Sequence, residues 1–407
     1  MTPPLCLLLA SGGSAAVILR DILLIFLAAK LLAEVAERLR QPPVVGELLA
    51  GILIGPALLG WVQPNELLST LAELGVLFLL FRVGLELKDF DLARVGSTAL
   101  LVAILGVIVP FLMGWGIMLA FGEAQVGAVF VGAAMVATSV GITARVLAGK
   151  GLLQERASKI ILAAAVIDDV LGLIVLAAVS SGARGRLNWF ELALTATLAV
   201  GFTFVVAKWG TRTVQRMAPA VHARLRAGGG EFNLALVLLF ALSLAAVYAG
   251  VAAIIGAFLA GMALANSIGD QVHEMMSGVT ELLVPFFLVG IGLHFDLSAF
   301  AGRTTIVIAL VILVAAVISK FVGCAAGALS LGWTEAVRVG AGMIPRGEVG
   351  MVVAQIGLGL HVIPAATYGV VVFMSIATTM IAPPLLKVAY RGAMESHGEP
   401  REVPWVG

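Results

Sequence analysis

Charge is scarce in this chain. Lys, Arg, Asp and Glu make up only 12% of its 407 residues, and 25 basic side chains nearly cancel 24 acidic ones, leaving a net charge of +1. Without a basic surplus there is no electrostatic footprint for nucleic acid, so none is expected as a partner. Cysteine is nearly absent: Cys6, near the start, and Cys324, in an apolar run, provide neither a disulfide framework nor a metal site. Five scattered histidines (His222, His273, His294, His361, His397) show no ligand spacing, and no cofactor is expected. No basic residue precedes the short apolar patch at the start, which argues against a cleaved signal peptide.

Apolar residues fill the chain instead. They account for 61% of it, with a mean hydropathy of +1.09, which excludes most soluble readings. The 47 glycines suit helices that approach closely or break within a membrane. Judged against the roughly 20 residues a membrane helix needs, the apolar stretches predict about thirteen crossings. Their spans are 18–39, 43–60, 66–87, 95–121, 125–149, 156–181, 188–208, 231–250, 252–268, 275–297, 303–331, 335–360 and 365–390. An N-terminus outside puts Arg38, Arg40, Lys88, Arg94, Lys150, Arg156, Lys159, Lys208, Arg212, Arg216, Arg224, Arg226, Arg338, Lys387 and Arg391 in the cytoplasm. Only Arg20, Arg184, Arg186 and Arg303 then lie outside, so the expected topology is N-out and C-in, in a cell inner (plasma) membrane.

The chain reads as a duplication. ELGVLFLLFRVGL from Glu73 matches ELLVPFFLVGIGL from Glu281 at a shift of 208, and Gly46, Leu49, Ala50 and Gly51 match Gly256, Leu259, Ala260 and Gly261 at 210. The shift of 208 also sets Gly132, Ala133 and Met135 on Gly340, Ala341 and Met343; one inserted residue then aligns Val140 and Gly141 with Val349 and Gly350. Six helices, a connector and six more give the second half the opposite orientation, the inverted-repeat design of secondary transporters. The basic, Gly-rich stretch 208–230 is the expected cytoplasmic linker.

Asp168 and Asp169 stand side by side in IILAAAVIDDVLGLIVLAAV, an apolar run long enough to cross a bilayer. A carboxylate at the membrane centre costs about 2.5–3.5 kcal/mol, so two of them call for a wet cavity, a counter-charge or a cation. Lys320, in the eleventh crossing, is the natural counter-charge for one of them. Thr138, Ser139, Gly141 and Thr143 in the fifth crossing, and Pro345 and Gly347 around Arg346 and Glu348 in the twelfth, mark candidate broken helices at corresponding places in the two halves. Such a centre suits a bare monovalent cation that competes with protons for the same oxygens.

Plainer readings stand beside these. The aspartates could be a structural pair, Lys320 could snorkel to an interface, and the hydroxyls could bond back to their own helix. Arg346 and Glu348 could be an ion pair steadying the break, or could act in gating. Glu47, Glu73, Glu86 and Glu281 read as structural. An intramembrane aspartyl protease fits poorly, because its acids belong on separate helices. A channel accounts less well for the lysine and the duplicated breaks, and a sodium-coupled symporter remains an alternative.

The ATSVGITARVL stretch, VIDDVLGLIVL, the mid-helix Lys320 and PRGEVG resemble the monovalent cation/proton antiporter-2 family, most closely its NapA-type bacterial sodium/proton antiporters, from residue 41 to the last helix. The resemblance implies an all-α, inverted-repeat homodimer that exchanges sodium, or lithium, for protons, and it implies an electrogenic, elevator-type cycle. It assigns 1–94 and 231–302 to a dimerisation domain, 95–181 and 303–390 to a core, 182–230 to a linker and 391–407 to a tail. It makes Asp169 the principal ion-binding carboxylate and pairs Asp168 with Lys320 when the ion is absent. Thr138 and Ser139 would lie at the helix crossing, with Arg346 and Glu348 supporting the breaks. A potassium/proton antiporter of the potassium-efflux branch is the alternative within the family.

Overall fold

The computed structural model describes residues 4–39, 41–87, 92–183, 193, 197–198, 201–202, 205–206, 230–265, 267–295, 297–300 and 302–396. The expected seventh crossing, linker and tail fall almost wholly outside these residues. Every regular element described is helical: α1 (Pro4–Arg38), α2 (Pro43–Ile54), α3 (Glu66–Glu86), α4 (Leu92–Ala120), α5 (Gln125–Ala134), α6 (Val140–Gly149), α7 (Arg156–Ala183), α8 (Gly230–Tyr248), α9 (Ala253–Leu264), α10 (Asp270–Leu293), α11 (Arg303–Gly327), α12 (Trp333–Gly342), α13 (Glu348–Gly359), α14 (Ala365–Ala389) and α15 (Arg391–Ser396), with two short 3-10 turns. Seven of them, α3, α4, α7, α8, α10, α11 and α14, are long and apolar enough to cross a bilayer alone, and α2, α5, α6, α9 and α13 are shorter apolar helices.

Local chemistry accounts for several boundaries. Asn65 caps α3 by accepting the Leu68 N–H at 2.9 Å. The second crossing ends its helix at Ile54 rather than residue 60, because Gly55 donates back to Gly51 and Pro56, which follows, cannot continue the helix. α9 likewise stops at Leu264, short of 268, while α1 and α10 begin earlier than the apolar pattern suggests, at Pro4 and Asp270. The fifth crossing is the pair α5 and α6, interrupted at residues 135–139, and the twelfth is α12 and α13, interrupted at 343–347.

Close glycine contacts carry the duplication into three dimensions. A Cβ on Gly46 would lie 2.1 Å from the Leu32 carbonyl oxygen, and one on Gly256 2.2 Å from that of Leu242. One on Gly51 would meet the Val289 oxygen at 2.1 Å, and one on Gly261 the Phe81 oxygen at 2.1 Å. In each case the partners differ by the same 208 or 210 residues as the sequence repeat. α1 therefore crosses α2 as α8 crosses α9, while α2 lies on α10 as α9 lies on α3.

Two groups of helices result. α3 packs on α9 and α10, α2 on α1 and α10, and α8 on α9, enclosing cores around Phe81, Leu239 and Ala260 and around Ile25, Ile54 and Val289. In the other group α4 packs on α5, α7 and α11, and α14 gathers α11, α12 and α13. Between the groups, α6 lies on α2 and α3, and α14 reaches α2.

Candidate functional site

The two broken helices cross at the centre of the second group. Their breaks are tied by the Ser139 N–H, which donates to the Pro345 carbonyl at 2.8 Å, and by the Thr143 hydroxyl, which donates to the Gly342 carbonyl at 2.6 Å. Thr143 thus does not bond back to its own helix; it satisfies the open C-terminal end of α12 instead. From α14, the Thr378 hydroxyl accepts the Arg346 N–H at 3.1 Å and the Thr379 hydroxyl donates to the Arg346 carbonyl at 2.6 Å. The extended residues of this break therefore find their hydrogen bonds on a neighbouring helix, which is what a chain leaving helical geometry away from water needs.

Two buried cations close the C-terminal end of α5. Lys320 Nζ donates to Val136 O at 2.7 Å, to Gly106 O at 2.8 Å and to the Asp168 carboxylate at 2.9 and 3.1 Å, which occupies all three of its protons. The Arg346 guanidinium donates to Val136 O at 3.0 Å, Ala137 O at 3.3 Å and Ala316 O at 3.3 Å. Both cations meet carbonyls at the negative end of a helix, where positive charge is favoured. The positive ends of α6 and α13 face the same crossing.

Asp168, Lys320 and Arg346 are all 0% exposed, so Lys320 does not snorkel to an interface. Asp169, one position on and about 100° round the helix, is 7% exposed. It lines a small crevice whose other walls are Leu80, Val140, Leu162, Val166, Ile254, Ile255 and Phe258. That crevice lies between the groups, α6 and α7 on one side and α3 and α9 on the other. Thr138 Oγ1 and Ser139 Oγ, at the break of the fifth crossing, are buried without a hydrogen-bond partner, as is Ser375 Oγ nearby on α14. Buried hydroxyls left in that condition are costly, and a bare cation with its demand for oxygen ligands would satisfy them.

The structure therefore brings Asp168, Asp169, Lys320, Arg346, Thr138 and Ser139 into one crossing, and Glu348 begins α13 there, although its side chain lies outside the described residues. Sequence reasoning misses Thr378 and Thr379, whose signal is a polar doublet in an apolar helix, and the carbonyls of Gly106, Val136 and Ala316, which leave no trace in side-chain identity. Breaking a buried ion pair costs about 3–5 kcal/mol, whereas apolar residues in its place often stabilise, so the pair earns its position through something other than stability.

A duplicated membrane bundle whose broken helices cross at a buried ion pair is a secondary transporter by architecture. Residues 22–390 match the model of the sodium/hydrogen exchanger transmembrane family. The high-affinity Na+/H+ antiporter NhaS3 of Synechocystis is 34% identical over 95% of this chain and 93% of its own. The Na+/H+-K+ antiporter GerN of Bacillus cereus is 34% identical over 91% and 95%, and the Na+/H+ antiporter of Enterococcus hirae 33% over 89% and 96%. Among solved structures, the sodium proton antiporter MjNhaP1 of Methanocaldococcus jannaschii superposes with a TM-score of 0.64 over 92% of this chain and 96% of its own, at 18% identity. The chain belongs to the sodium/hydrogen exchanger family, whose members are membrane-spanning transporters rather than enzymes.

Proposed function

We propose that this protein exchanges sodium, or lithium, for protons across the membrane by an electrogenic, elevator-type cycle. The observation that carries the proposal is the placing of Asp169: it borders a crevice between two helix groups, one residue from a carboxylate held by Lys320. Asp169, helped by Asp168 and by the unpartnered hydroxyls of Thr138 and Ser139, takes the cation when ionised and a proton when not. Lys320 holds Asp168 while the ion is away, and releases it as the ion binds. A loaded site shifts with the core; an empty, charged one stays, and exchange becomes obligatory. Strong coupling makes the titration a property of the group rather than of one aspartate.

In this reading the group of α1–α3 and α8–α10 is the fixed scaffold through which two chains form a homodimer. The group of α4–α7 and α11–α14 is the core that moves, with Arg346 and Glu348 supporting its breaks. The basic excess supports an N-out, C-in orientation in a plasma membrane, and the ends it makes cytoplasmic meet one another: Arg338 lies 2.7 Å from Glu335 and 3.8 Å from Glu155, stacks on Tyr390, and Tyr390 meets Ser158 at 3.0 Å. All these residues belong to the side that carries the basic excess.

GerN, whose name includes potassium, favours a second reading in which potassium also exchanges. Proteoliposomes with an internal pH dye, given sodium, lithium or potassium gradients across a range of pH, test both. Sodium-driven proton movement without any organic solute is the expected result. No cation-driven proton flux, or flux only with a solute present, would refute antiport.

A further inference from the structure

Glu47 of α2 is 2% exposed, and its Oε2 atom is buried without a hydrogen-bond partner. α2 packs on α1 and α10 in its own group and on α6 and α14 in the other. Burial acts on Glu47 first; of the charges near it Arg145 of α6 leads, followed by Lys30 of α1 and Glu281 of α10. Arg145 is half-buried, and among the described residues no ion pair joins it to Glu47. Lys30 and Glu281 stand on helices of Glu47's own group, so of these three charges Arg145 alone moves relative to Glu47 when the core slides.

The duplication supplies an internal control. At the repeat offsets of 210 and 209 residues, Glu47 corresponds to Ala257 and Arg145 to Ala354, and both alanines are fully buried. Packing at these places therefore asks for no charge, and the pair is confined to one half. The contacts differ in the same sense. α6 lies on α2 and α3, while α13 has no comparable packing on α9 or α10 among the described residues, and the Asp169 crevice runs along α9. Just beyond α6, the Gln154 side chain donates to the Glu86 carbonyl at the end of α3 at 2.5 Å, a polar contact across this seam.

We propose that Glu47 and Arg145 form a one-sided electrostatic latch, closing on each other as the core shifts against the scaffold and so setting the balance between the two facing states. Opposite charges on surfaces that slide past one another attract in one register only, and a buried carboxyl is poorly accommodated in the other. The latch rests on the exchange cycle proposed above; its two members are positioning residues that touch no transported ion.

In proteoliposomes, Glu47→Gln and Arg145→Gln should each lower turnover about tenfold with the apparent KM for sodium held within about twofold, and Glu47→Arg with Arg145→Glu should recover most of the loss. Single variants that match the wild type, or an exchanged pair no better than the weaker single, would overturn the latch. A transport-independent arm uses Glu47→Cys with Arg145→Cys in a chain carrying Cys6→Ser and Cys324→Ser. A short bifunctional maleimide should link the two positions within one chain, and failure to link them would also overturn the proposal. Wild-type vesicles in which sodium moves no protons would count against the exchange reading alone, because the link is read whether or not ions move.

Discussion

At the scale of single residues, Asp168 and Lys320 are chemically dependent on each other. Removing the amine alone leaves a fully buried carboxylate facing carbonyl oxygens, a change worth about 3–5 kcal/mol. Lys320→Gln should therefore unfold at lower temperature than the Asp168→Asn, Lys320→Gln double variant, as measured by thermal scanning in detergent; equal losses would mean that the pair is not coupled. In transport, Lys320→Gln should also weaken the response to membrane voltage, and an unaltered voltage dependence would remove the amine from the charge-moving step. Asp169→Asn should abolish sodium-driven proton movement while leaving folding intact, and wild-type exchange in that variant would take Asp169 out of the ion path. The three residues are legible in the sequence because charge in an apolar run is rare and costly. Arg346 is legible only as a charge beside a proline. Its partners are backbone carbonyls brought from the break after α5 and from α11, and no side-chain pattern encodes them.

Among elements, the glycine seams decide how closely helices meet. A methyl group at residue 261 would sit 2.1 Å from the Phe81 carbonyl oxygen and 2.9 Å from the Leu85 nitrogen, atoms that cannot turn aside as a side chain would. Gly261→Ala should force α9 from α3 and cost about 1–3 kcal/mol, read as a lower melting temperature. An unchanged midpoint would mean that the seam is looser than drawn. Gly116→Ala, on an exposed face of α4 with nothing within 4 Å of the added methyl group, is a control expected to cost nothing. The breaks in the fifth and twelfth crossings are readable from Gly141, Pro345 and Gly347 together with the repeat. The helix ends are less so: apolar composition continues past Ile54 and Leu264, where backbone geometry rather than hydropathy ends the helix. Glu47 illustrates the same limit, since a carboxyl in the second turn of a short helix reads as structural until its Oε2 atom is found buried without a partner.

For the whole molecule, competition between proton and cation at one set of oxygens fixes a sign. As pH falls, more sites hold protons, so the apparent KM for sodium should rise, by up to about tenfold per pH unit where one proton competes. A KM independent of pH would show that the two ions use separate sites. If the scaffold joins two chains, mass measurement in nanodiscs should give twice 42.0 kDa, and a single-chain mass would remove the homodimer. The seams described above also bear on ancestry. Because α2 rests on α10 and α9 on α3, each half is clasped through the other. Either half alone would present an open groove lined by glycine, and a primordial gene encoding one half could have closed it only by inserting two copies upside down relative to each other.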